Sequence, residues 1–388
     1  MTPAARLAAA AQVLDQVVAG EPAEKALIGW ARRSRFAGSG DRAALRDLVF
    51  DALRCKRSFA ALGGAMTGRG LMLGLLRASG QDPDALLTGQ GHAMPALTAE
   101  ERQGGRAPAP GPEACDMPDW LWPLLLDSLG DKAVPVASVL QSRAPVMLRV
   151  NLTKANPAQA IAALAEDGIA AAPDPVASTA LKVGEGARKL AQSQAYLAGL
   201  VELQDGSSQA TMDELLLPSH GKILDFCAGG GGKSLAMAAR TQAQIMAHDV
   251  QPSRMKDLPA RAARAGARIE IPDSAALAQA GPFDLVLCDA PCSGSGAWRR
   301  APEGKWALTP QRLSELCAIQ DSILGSAAAL VGPQGVLAYA TCSVLRDENE
   351  ARVDAFLARH PAWRQVDARR WYPGPSGDGF FLAQLRLG

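Results

Sequence analysis

Two cysteines carry the strongest chemical signal in this chain. Cys292 lies in the run Asp289–Gly294 (DAPCSG), and Cys342 lies 50 residues later in the run Tyr339–Ser343 (YATCS). A thiolate is a strong nucleophile, and nearby positive charge or a helix N-terminus favours it over the thiol. Two such thiols behind a glycine-rich turn of the cofactor-binding type predict nucleophilic attack on an electron-poor ring, followed by transfer of a group.

The glycine-rich turn at residues 229–232 follows an apolar strand and precedes a helix. Glycines allow a backbone to approach a ligand and to adopt positive φ, and helix-start N–H groups favour an anionic group. The next strand ends at Asp249, where an acidic side chain is placed to bind ribose hydroxyls. This order of elements is typical of S-adenosylmethionine (SAM) sites, although a plain tight turn with a surface aspartate would give the same pattern.

Two commoner nucleotide-binding motifs do not fit this turn. A P-loop requires glycine five positions before Gly232, and that residue is Cys227. A dinucleotide fingerprint requires a third glycine where the chain has Ser234 or Leu235. The turn therefore favours a different class of cofactor.

The residues around the first thiol suggest its surroundings. Asp289 ends the apolar strand that starts at Phe283, which places a catalytic acid at the edge of a sheet. Arg299, Arg300 and Lys305 follow closely and could either favour a thiolate or bind phosphate. The remaining cysteines are predicted to be small buried hydrophobes, and one of them, Cys227, also borders the glycine-rich turn. They are Cys55, Cys115, Cys227, Cys288 and Cys317.

Composition bounds the class of protein. The 388 residues suffice for two or three domains, and a hydrophobic content of 48% supports a core. Seven scattered cysteines and four isolated histidines show no metal-ligand spacing and fit a reducing compartment. We find no signal-peptide pattern and no apolar run long enough to cross a membrane. We therefore expect a cytoplasmic protein, bound to neither membrane nor metal. The net charge of +1 does not bear on nucleic-acid binding.

The hydrophobic pattern predicts three regions. Residues 3 to about 90 read as helices, including a run from Arg42 to Leu62 capped by Asp41, with a Gly/Pro-rich linker at 102–112. A small α+β module follows, and from Gly221 apolar strands alternate with helices, which predicts a doubly wound, mostly parallel sheet. The predicted domains are 1–130, 131–205 and 206–388.

The two cysteine motifs together resemble those of the Sun family of RNA (cytosine-C5) methyltransferases. Further matches are Arg149-Val150-Asn151, Gln204-Asp205 with Ser207-Ser208-Gln209, and Asp378-Gly379-Phe380-Phe381. Arg299–Trp306 is similar to the subgroup that acts on bacterial 16S ribosomal RNA. One departure is Gly229-Gly230, where the family usually has Ala-Pro.

The resemblance implies a multidomain fold. It comprises an N-terminal all-α NusB-like RNA-binding domain, a small α+β RRM-like module, and a C-terminal α/β Rossmann-like SAM-dependent methyltransferase domain. The implied substrate is RNA, specifically 16S rRNA, and the expected oligomeric state is a monomer.

The resemblance also implies roles for individual residues. Cys342 would attack cytosine C6, Cys292 would assist release, and Asp289 would bind the cytosine N3/N4 edge. RNA would contact Arg299, Arg300 and Lys305. The implied SAM-binding residues are Cys227, Ala228, Gly229, Gly230, Gly231, Lys233, Asp249, Arg254, Asp273 and Asp289.

Two other functions remain open at this point. One is SAM-dependent methylation of another substrate, such as tRNA, DNA or protein. The other is a catalytically idle RNA-binding assembly factor, against which the presence of both thiols and Asp289 argues.

Overall fold

The computed structural model describes the backbone of residues 1–388 and every side chain except that of Ala278. It divides into two compact units. One comprises Met1–Arg143 with Trp298–Leu308, and the other comprises Ala144–Ala297 with Thr309–Gly388. The first unit is helical, and the second contains two sheets. The Gly/Pro-rich stretch at 102–112 lies inside the helical unit, which extends to Arg143.

The helical unit is built around an apolar core in which α1, α3 and α5 contribute the fully buried side chains Leu14, Leu45 and Leu71. Its helices before residue 143 are α1 Pro3–Val18, α2 Ala23–Arg33, α3 Ser39–Arg54, α4 Lys56–Gly63, α5 Gly68–Ala78, α6 Ala99–Gln103, α7 Trp122–Leu129 and α8 Ala133–Leu140. Within the described chain, no single helix is long and apolar enough to span a membrane, and one bent pair, α4 with α5, passes the test by length and composition.

The helix predicted from Arg42 to Leu62 is two helices in the structure. Helix α3 begins after its N-cap residue, Gly38, and Asp41 is the third helical residue, whose side chain accepts from the Gly38 backbone. The helix ends at Arg54, and α4 starts after Cys55. The cause is Asp116, whose buried carboxylate accepts hydrogen bonds from Arg57 N at 2.7 Å and Ser58 N at 2.9 Å. A distant carboxylate therefore caps α4, which local periodicity does not reveal.

The small module in the second unit is a four-stranded antiparallel sheet with strand order β2-β3-β1-β4. Helix α9 begins at Pro157 after the capping residue Asn156, and the short strand β2 follows it. The elements are β1 Val146–Val150, α9 Pro157–Glu166, β2 Ala170–Pro173, β3 Ala180–Glu185, α10 Gln194–Leu197, β4 Val201–Leu203 and α11 Gly206–Glu214.

The larger sheet has seven strands in the order β10-β11-β9-β8-β5-β6-β7. The five strands from β9 to β7 are parallel, while β11 and β10 pair antiparallel at one edge, so the expected mostly parallel sheet is confirmed. The elements are β5 Lys222–Asp225, α12 Gly232–Ala238, β6 Gln244–Ala247, α13 Leu258–Ala265, β7 Ile269–Glu270, α14 Ser274–Ala280, β8 Phe283–Asp289, α15 Pro302–Ala307 (in the helical unit), α16 Pro310–Ala328, β9 Val331–Thr341, α17 Glu350–Arg359, β10 Trp363–Trp371 and β11 Phe380–Leu387.

The strand order places a topological switch point in the middle of this sheet. From β5 the chain adds β6 and β7 on one side and then crosses to add β8 and β9 on the other. In open α/β sheets, ligands bind at the carboxyl ends of the strands at such a point. The ends of β5, β8 and β9 therefore define where the candidate site should lie.

Candidate active site

The two thiols meet at the carboxyl edge of the large sheet. Strands β8 and β9 are paired in parallel up to Asp289 opposite Ala340, and Ala290 N donates to Ala340 O at 2.9 Å. Cys342 directly follows β9, Cys292 lies three residues after the end of β8, and the two Sγ atoms lie 3.5 Å apart. Both side chains are half-buried.

The charges around the two thiols differ. The hydrogen bond to Cys342 and burial raise the pKa of Cys292 well above its ordinary value, and the charge of Glu348 adds to this effect. Cys342 instead lies near Lys233. Burial alone would lower the pKa of Lys233. The charge and hydrogen bond of Asp289, together with the charge of Cys342, outweigh burial, so the pKa is raised and the ammonium persists. The Cys292 thiol is therefore held protonated, while the Lys233 ammonium lies near Cys342.

Asp289 and Lys233 form an ion pair at the mouth of the site. Lys233 Nζ donates to Asp289 Oδ2 at 2.6 Å, and the ammonium also lies 4.7 Å from the centre of the Phe380 ring. The side chain of Asp289 keeps 31% of its accessible surface, whereas that of Lys233 keeps 11%. The carboxylate therefore retains an open side on which a hydrogen-bond donor of a substrate can bind.

The glycine-rich turn lies between β5 and α12. Gly229 and Gly231 have φ of +49° and +75°, a region that favours glycine. Asp225 at the end of β5 is buried, and its Oδ2 accepts from Ser234 Oγ at 2.6 Å, while its Oδ1 has no hydrogen-bond partner. Burial raises the pKa of Asp225 to about 6. An unpartnered buried carboxylate oxygen beside a glycine turn fits a ligand with amino or hydroxyl donors.

Asp249 supports the same turn from the next strand. Its Oδ2 accepts from Gly229 N at 3.0 Å and pairs with Arg254 NH1 at 3.1 Å, and its Oδ1 accepts from Gln251 N at 2.9 Å. Oδ2 already has two partners, whereas Oδ1 can accept a second bond, so Oδ1 is the oxygen on which a ribose hydroxyl fits.

Asp273 and Cys227 are the outer members of the predicted cofactor set. Asp273 follows β7, is exposed, and caps α14 by accepting from Ala276 N at 2.8 Å. Burial raises the pKa of the Cys227 thiol, and its neighbouring aspartates add to this, so it is not a reactive thiolate. The structure thus brings most of the predicted cofactor residues to one edge of the sheet and leaves Asp273 at the periphery.

The structure corrects the expectation that Arg299 and Lys305 bind RNA. Both side chains are buried in the helical unit, at 2% and 1% exposure. Burial lowers the pKa of Lys305 to about 8, and its Nζ donates to Arg54 O at 3.1 Å. Arg54 Nε in turn donates to Arg299 O at 2.7 Å. The side chains of Arg54 and Lys305 thus fix the segment 298–308 in the helical unit. Of the predicted trio, only Arg300 is exposed.

Four other cysteines behave as unreactive side chains. Cys115 and Cys288 are buried, and desolvation raises the pKa of each. Burial also raises the pKa of Cys55 to about 12 and that of Cys317 to about 11. Their protonated state at neutral pH agrees with the sequence-based interpretation.

Sequence reasoning missed Glu348, a fully buried carboxylate behind the two thiols. It accepts hydrogen bonds from Ser293 N at 2.7 Å and from Ser343 Oγ at 2.5 Å. The run Arg346–Glu350 (RDENE) reads as a solvated charged stretch. No local pattern marks its third residue as buried.

Comparisons with known proteins agree with this geometry. A family model described as 16S rRNA methyltransferase RsmB/F matches residues 214–386, and one for the ferredoxin-like domain of the same group matches residues 117–188. A crystal structure of a methyltransferase homolog protein from Pyrococcus horikoshii covers 71% of this chain and 96% of its own, with a TM-score of 0.61 and 23% identity. That likeness supports the fold.

Two curated relatives both carry the name ribosomal RNA small subunit methyltransferase B. The protein from Xanthomonas campestris pv. campestris is 34% identical over 310 residues, which cover 74% of this chain and 70% of the relative. The protein from Klebsiella pneumoniae (strain 342) is 33% identical over 285 residues, which cover 69% of this chain and 65% of the relative. The chain belongs to the RsmB/F family of 16S rRNA methyltransferases.

Proposed function

We propose that this protein methylates C5 of a cytosine in 16S ribosomal RNA through a covalent bond between Cys342 and cytosine C6. The observation that carries the proposal is the pair of thiols 3.5 Å apart, with the Asp289–Lys233 ion pair beside them. A methyltransferase acting on a more nucleophilic atom needs neither thiol. The relatives named as ribosomal RNA small subunit methyltransferases support the choice of RNA.

SAM is the cofactor. The residues that would hold it are the turn from Cys227 to Lys233, with Asp225 and Asp249 behind it. Bound SAM supplies an electrophilic methyl group at this edge of the sheet. The ends of β5 and β8 border the switch point, so this methyl group and the thiols would share one cleft.

Cytosine C5 is a poor nucleophile until C6 is attacked. The Cys342 thiolate adds to C6, and the electrons of the C5–C6 double bond then make C5 nucleophilic. Asp289 accepts a hydrogen bond from the N4 amino group, and Lys233 holds that carboxylate in place at 2.6 Å. The base must be unstacked from the RNA to reach this site.

Release requires loss of the C5 proton. Once Cys342 is bonded to C6, its hydrogen bond and negative charge no longer raise the pKa of Cys292. Cys292 can then lose its own proton to solvent and, as a thiolate, take the proton from C5. The C5–H electrons restore the double bond, the C6–S bond breaks, and Cys342 leaves as a thiolate.

Bisulfite sequencing of 16S rRNA from a strain that lacks the gene tests this function. We expect one cytosine to lose protection in the deletion strain and to regain it when the wild-type gene is restored. The variant Cys342→Ala should fail to restore it. An unchanged cytosine pattern in the deletion strain would contradict the proposal.

A further inference from the structure

One buried carboxylate links the loops that carry the two thiols. Glu348 is 0% exposed. Its Oε1 accepts from Ser293 N at 2.7 Å, and its Oε2 accepts from the hydroxyl of Ser293 and from Ser343 Oγ. Ser293 directly follows Cys292, and Ser343 directly follows Cys342. The same side chain therefore contacts the residue after each thiol.

A second set of contacts holds Glu348 itself in place. Gln320 Nε2, from α16, donates to Glu348 Oε1 at 3.2 Å and to Pro291 O at 3.0 Å. The hydroxyl of Tyr339, at the end of β9, donates to the Glu348 carbonyl at 2.6 Å. The helix thus holds the carboxylate of Glu348 and the strand holds its backbone, and both carboxylate oxygens are occupied.

A carboxylate suits this position because it only accepts hydrogen bonds. Its two oxygens offer about four acceptor sites, and four donors reach them here: the Ser293 amide, the Ser293 and Ser343 hydroxyls, and the Gln320 amide. Bonds to an ionised acceptor are roughly twice as strong as neutral ones. Burying a carboxylate is costly unless it is fully hydrogen-bonded. A carboxylate at this position therefore requires the loops after the two thiols to keep their donors in place.

We propose that Glu348 is a positioning residue that sets the separation and orientation of the Cys292 and Cys342 thiols for the attack and release steps. The inference rests on the proposed function, because only a two-thiol mechanism requires the two loops to be held in register. Glu348 itself touches neither the substrate nor the cofactor in this mechanism. Its charge also disfavours a thiolate at Cys292.

The variant Glu348→Gln tests the proposal. It keeps the size of the side chain but replaces one acceptor oxygen with a donor, which faces hydroxyl and amide donors. Displacing a reacting group by about 1 Å can cost roughly 100-fold in rate, so we expect kcat for RNA methylation to fall about 10- to 100-fold with KM for RNA and SAM affinity unchanged. The variant Glu348→Asp keeps the charge but shortens the reach, and it should lose activity as well.

A readout independent of RNA separates positioning from unfolding. Iodoacetamide labelling with peptide mass spectrometry gives the rate at each cysteine. Wild-type protein should label Cys342 faster than Cys292, and Glu348→Gln should narrow that difference while fully buried Cys288 stays protected. Labelling of Cys288 in the variant would show a general loss of structure and would overturn a specific positioning role.

Two further variants complete the design. Glu315→Gln makes the same change at an exposed site on α16 and should behave as wild type in both assays. Ser343→Ala removes one arm of the link, and combined with Glu348→Gln it should cost less than the sum of the two single losses. Wild-type kcat and wild-type labelling in Glu348→Gln would refute the proposal. If wild-type protein methylates no RNA, the proposed function fails, while the labelling result still tests whether Glu348 positions the thiols.

Discussion

At the scale of residues, the two thiols share one hydrogen bond but have different neighbours. Cys342 lies near the Lys233 ammonium, whereas Cys292 lies near the buried Glu348 carboxylate. Proximity alone would make the thiols interchangeable. In the proposed mechanism, this difference in surroundings accompanies a difference in role: Cys342 takes the first chemical step and Cys292 the last.

Single alanine substitutions should separate these two steps. Cys342→Ala should abolish turnover and form no covalent complex with RNA. Cys292→Ala should still attack and methylate but fail to eliminate, so a protein–RNA adduct should accumulate with SAM, visible as a denaturant-resistant shift on a gel. Trapping by Cys342→Ala and not by Cys292→Ala would reverse the assignment. Activity retained in both variants would exclude covalent catalysis.

The buried Asp225 makes stability depend on pH. Burial raises its pKa from 3.8 to about 6, so in the folded protein it binds a proton more tightly than in the unfolded chain. Its contribution to stability is fully present below about pH 4 and is lost as the pH rises to about 6. A shift of about two units corresponds to about 3 kcal/mol.

Asp225→Asn should therefore flatten this dependence. Between pH 4 and pH 7 the free energy of unfolding of the wild type should fall as Asp225 ionises. In the variant this fall should be smaller by up to about 3 kcal/mol. Urea titrations at several pH values, without SAM, measure the difference. The exposed Asp354→Asn serves as a control. Equal slopes in Asp225→Asn and wild type would show that the site does not perturb this carboxyl.

At the scale of elements, the glycine turn contains both a replaceable and an irreplaceable glycine. Gly231 has φ of +75°, and a methyl group there would lie 2.2 Å from Leu258 Cδ1. Gly232, the first residue of α12, lies outside the left-handed region. A methyl group added there would lie 3.7 Å from its nearest neighbour, a side-chain atom.

Alanine at these two positions gives a matched comparison. Gly231→Ala should cost at least about 1–2 kcal/mol from the left-handed backbone alone, and the contact with Leu258 should shift the turn and weaken SAM binding. Gly232→Ala should be tolerated, because alanine favours a helix over glycine. Calorimetric titration with SAM and thermal melting measure both effects. Equal SAM affinity in the two variants would remove the turn from the cofactor site.

Which elements the sequence could predict depends on how they are buried. Strand β8 was predicted with its observed bounds because strands buried on both faces are continuously apolar. Strand β10 was missed because it lies at the edge of the sheet and is polar and largely exposed. The break at Cys55 was missed because its cause, Asp116, is distant in sequence.

The residues of the candidate site also differ in how far the sequence could predict them. Strand prediction also located four residues, because each lies at the end of a strand or within three residues after it: Cys292, Cys342, Asp289 and Asp249. The burial of Arg299 and Lys305 was not predicted because it arises only from tertiary packing, in which both residues form hydrogen bonds with the distant Arg54. Glu348 was missed for the same reason, since its donors come from three separate parts of the chain.

At the scale of the whole molecule, the helical unit is discontinuous in sequence. Besides Met1–Arg143 it contains Trp298–Leu308, in which Trp306 Nε1 donates to Leu53 O at 2.7 Å and Glu303 accepts from Ala23 N at 2.7 Å. Deletion of residues 1–143 therefore removes the packing partners of the segment 298–308 and leaves the apolar surface of that segment uncovered.

Two truncations test this arrangement. Deletion of residues 1–143 alone should give protein that aggregates, because Trp306 and its neighbours lose their packing partners. The same deletion with 298–308 replaced by a Gly/Ser linker of equal length should stay monomeric in size-exclusion chromatography and bind SAM. Relative to full-length protein, it should also bind RNA more weakly and with a shallower salt dependence, since phosphate contacts are lost. Unchanged RNA affinity and salt slope would assign the helical unit another role.

The discontinuous helical unit also affects synthesis on the ribosome. Its first 143 residues emerge early, but the segment that completes it ends at residue 308. At about 5–20 residues per second, the intervening chain takes about 10–30 s to appear. During that interval the nascent helices lack Lys305, Trp306 and Glu303, and their uncovered surface is available to chaperones. The two units therefore cannot complete their folding one after the other from the N-terminus. Helix α15, the last helix of the helical unit, is synthesised after many strands of the large sheet.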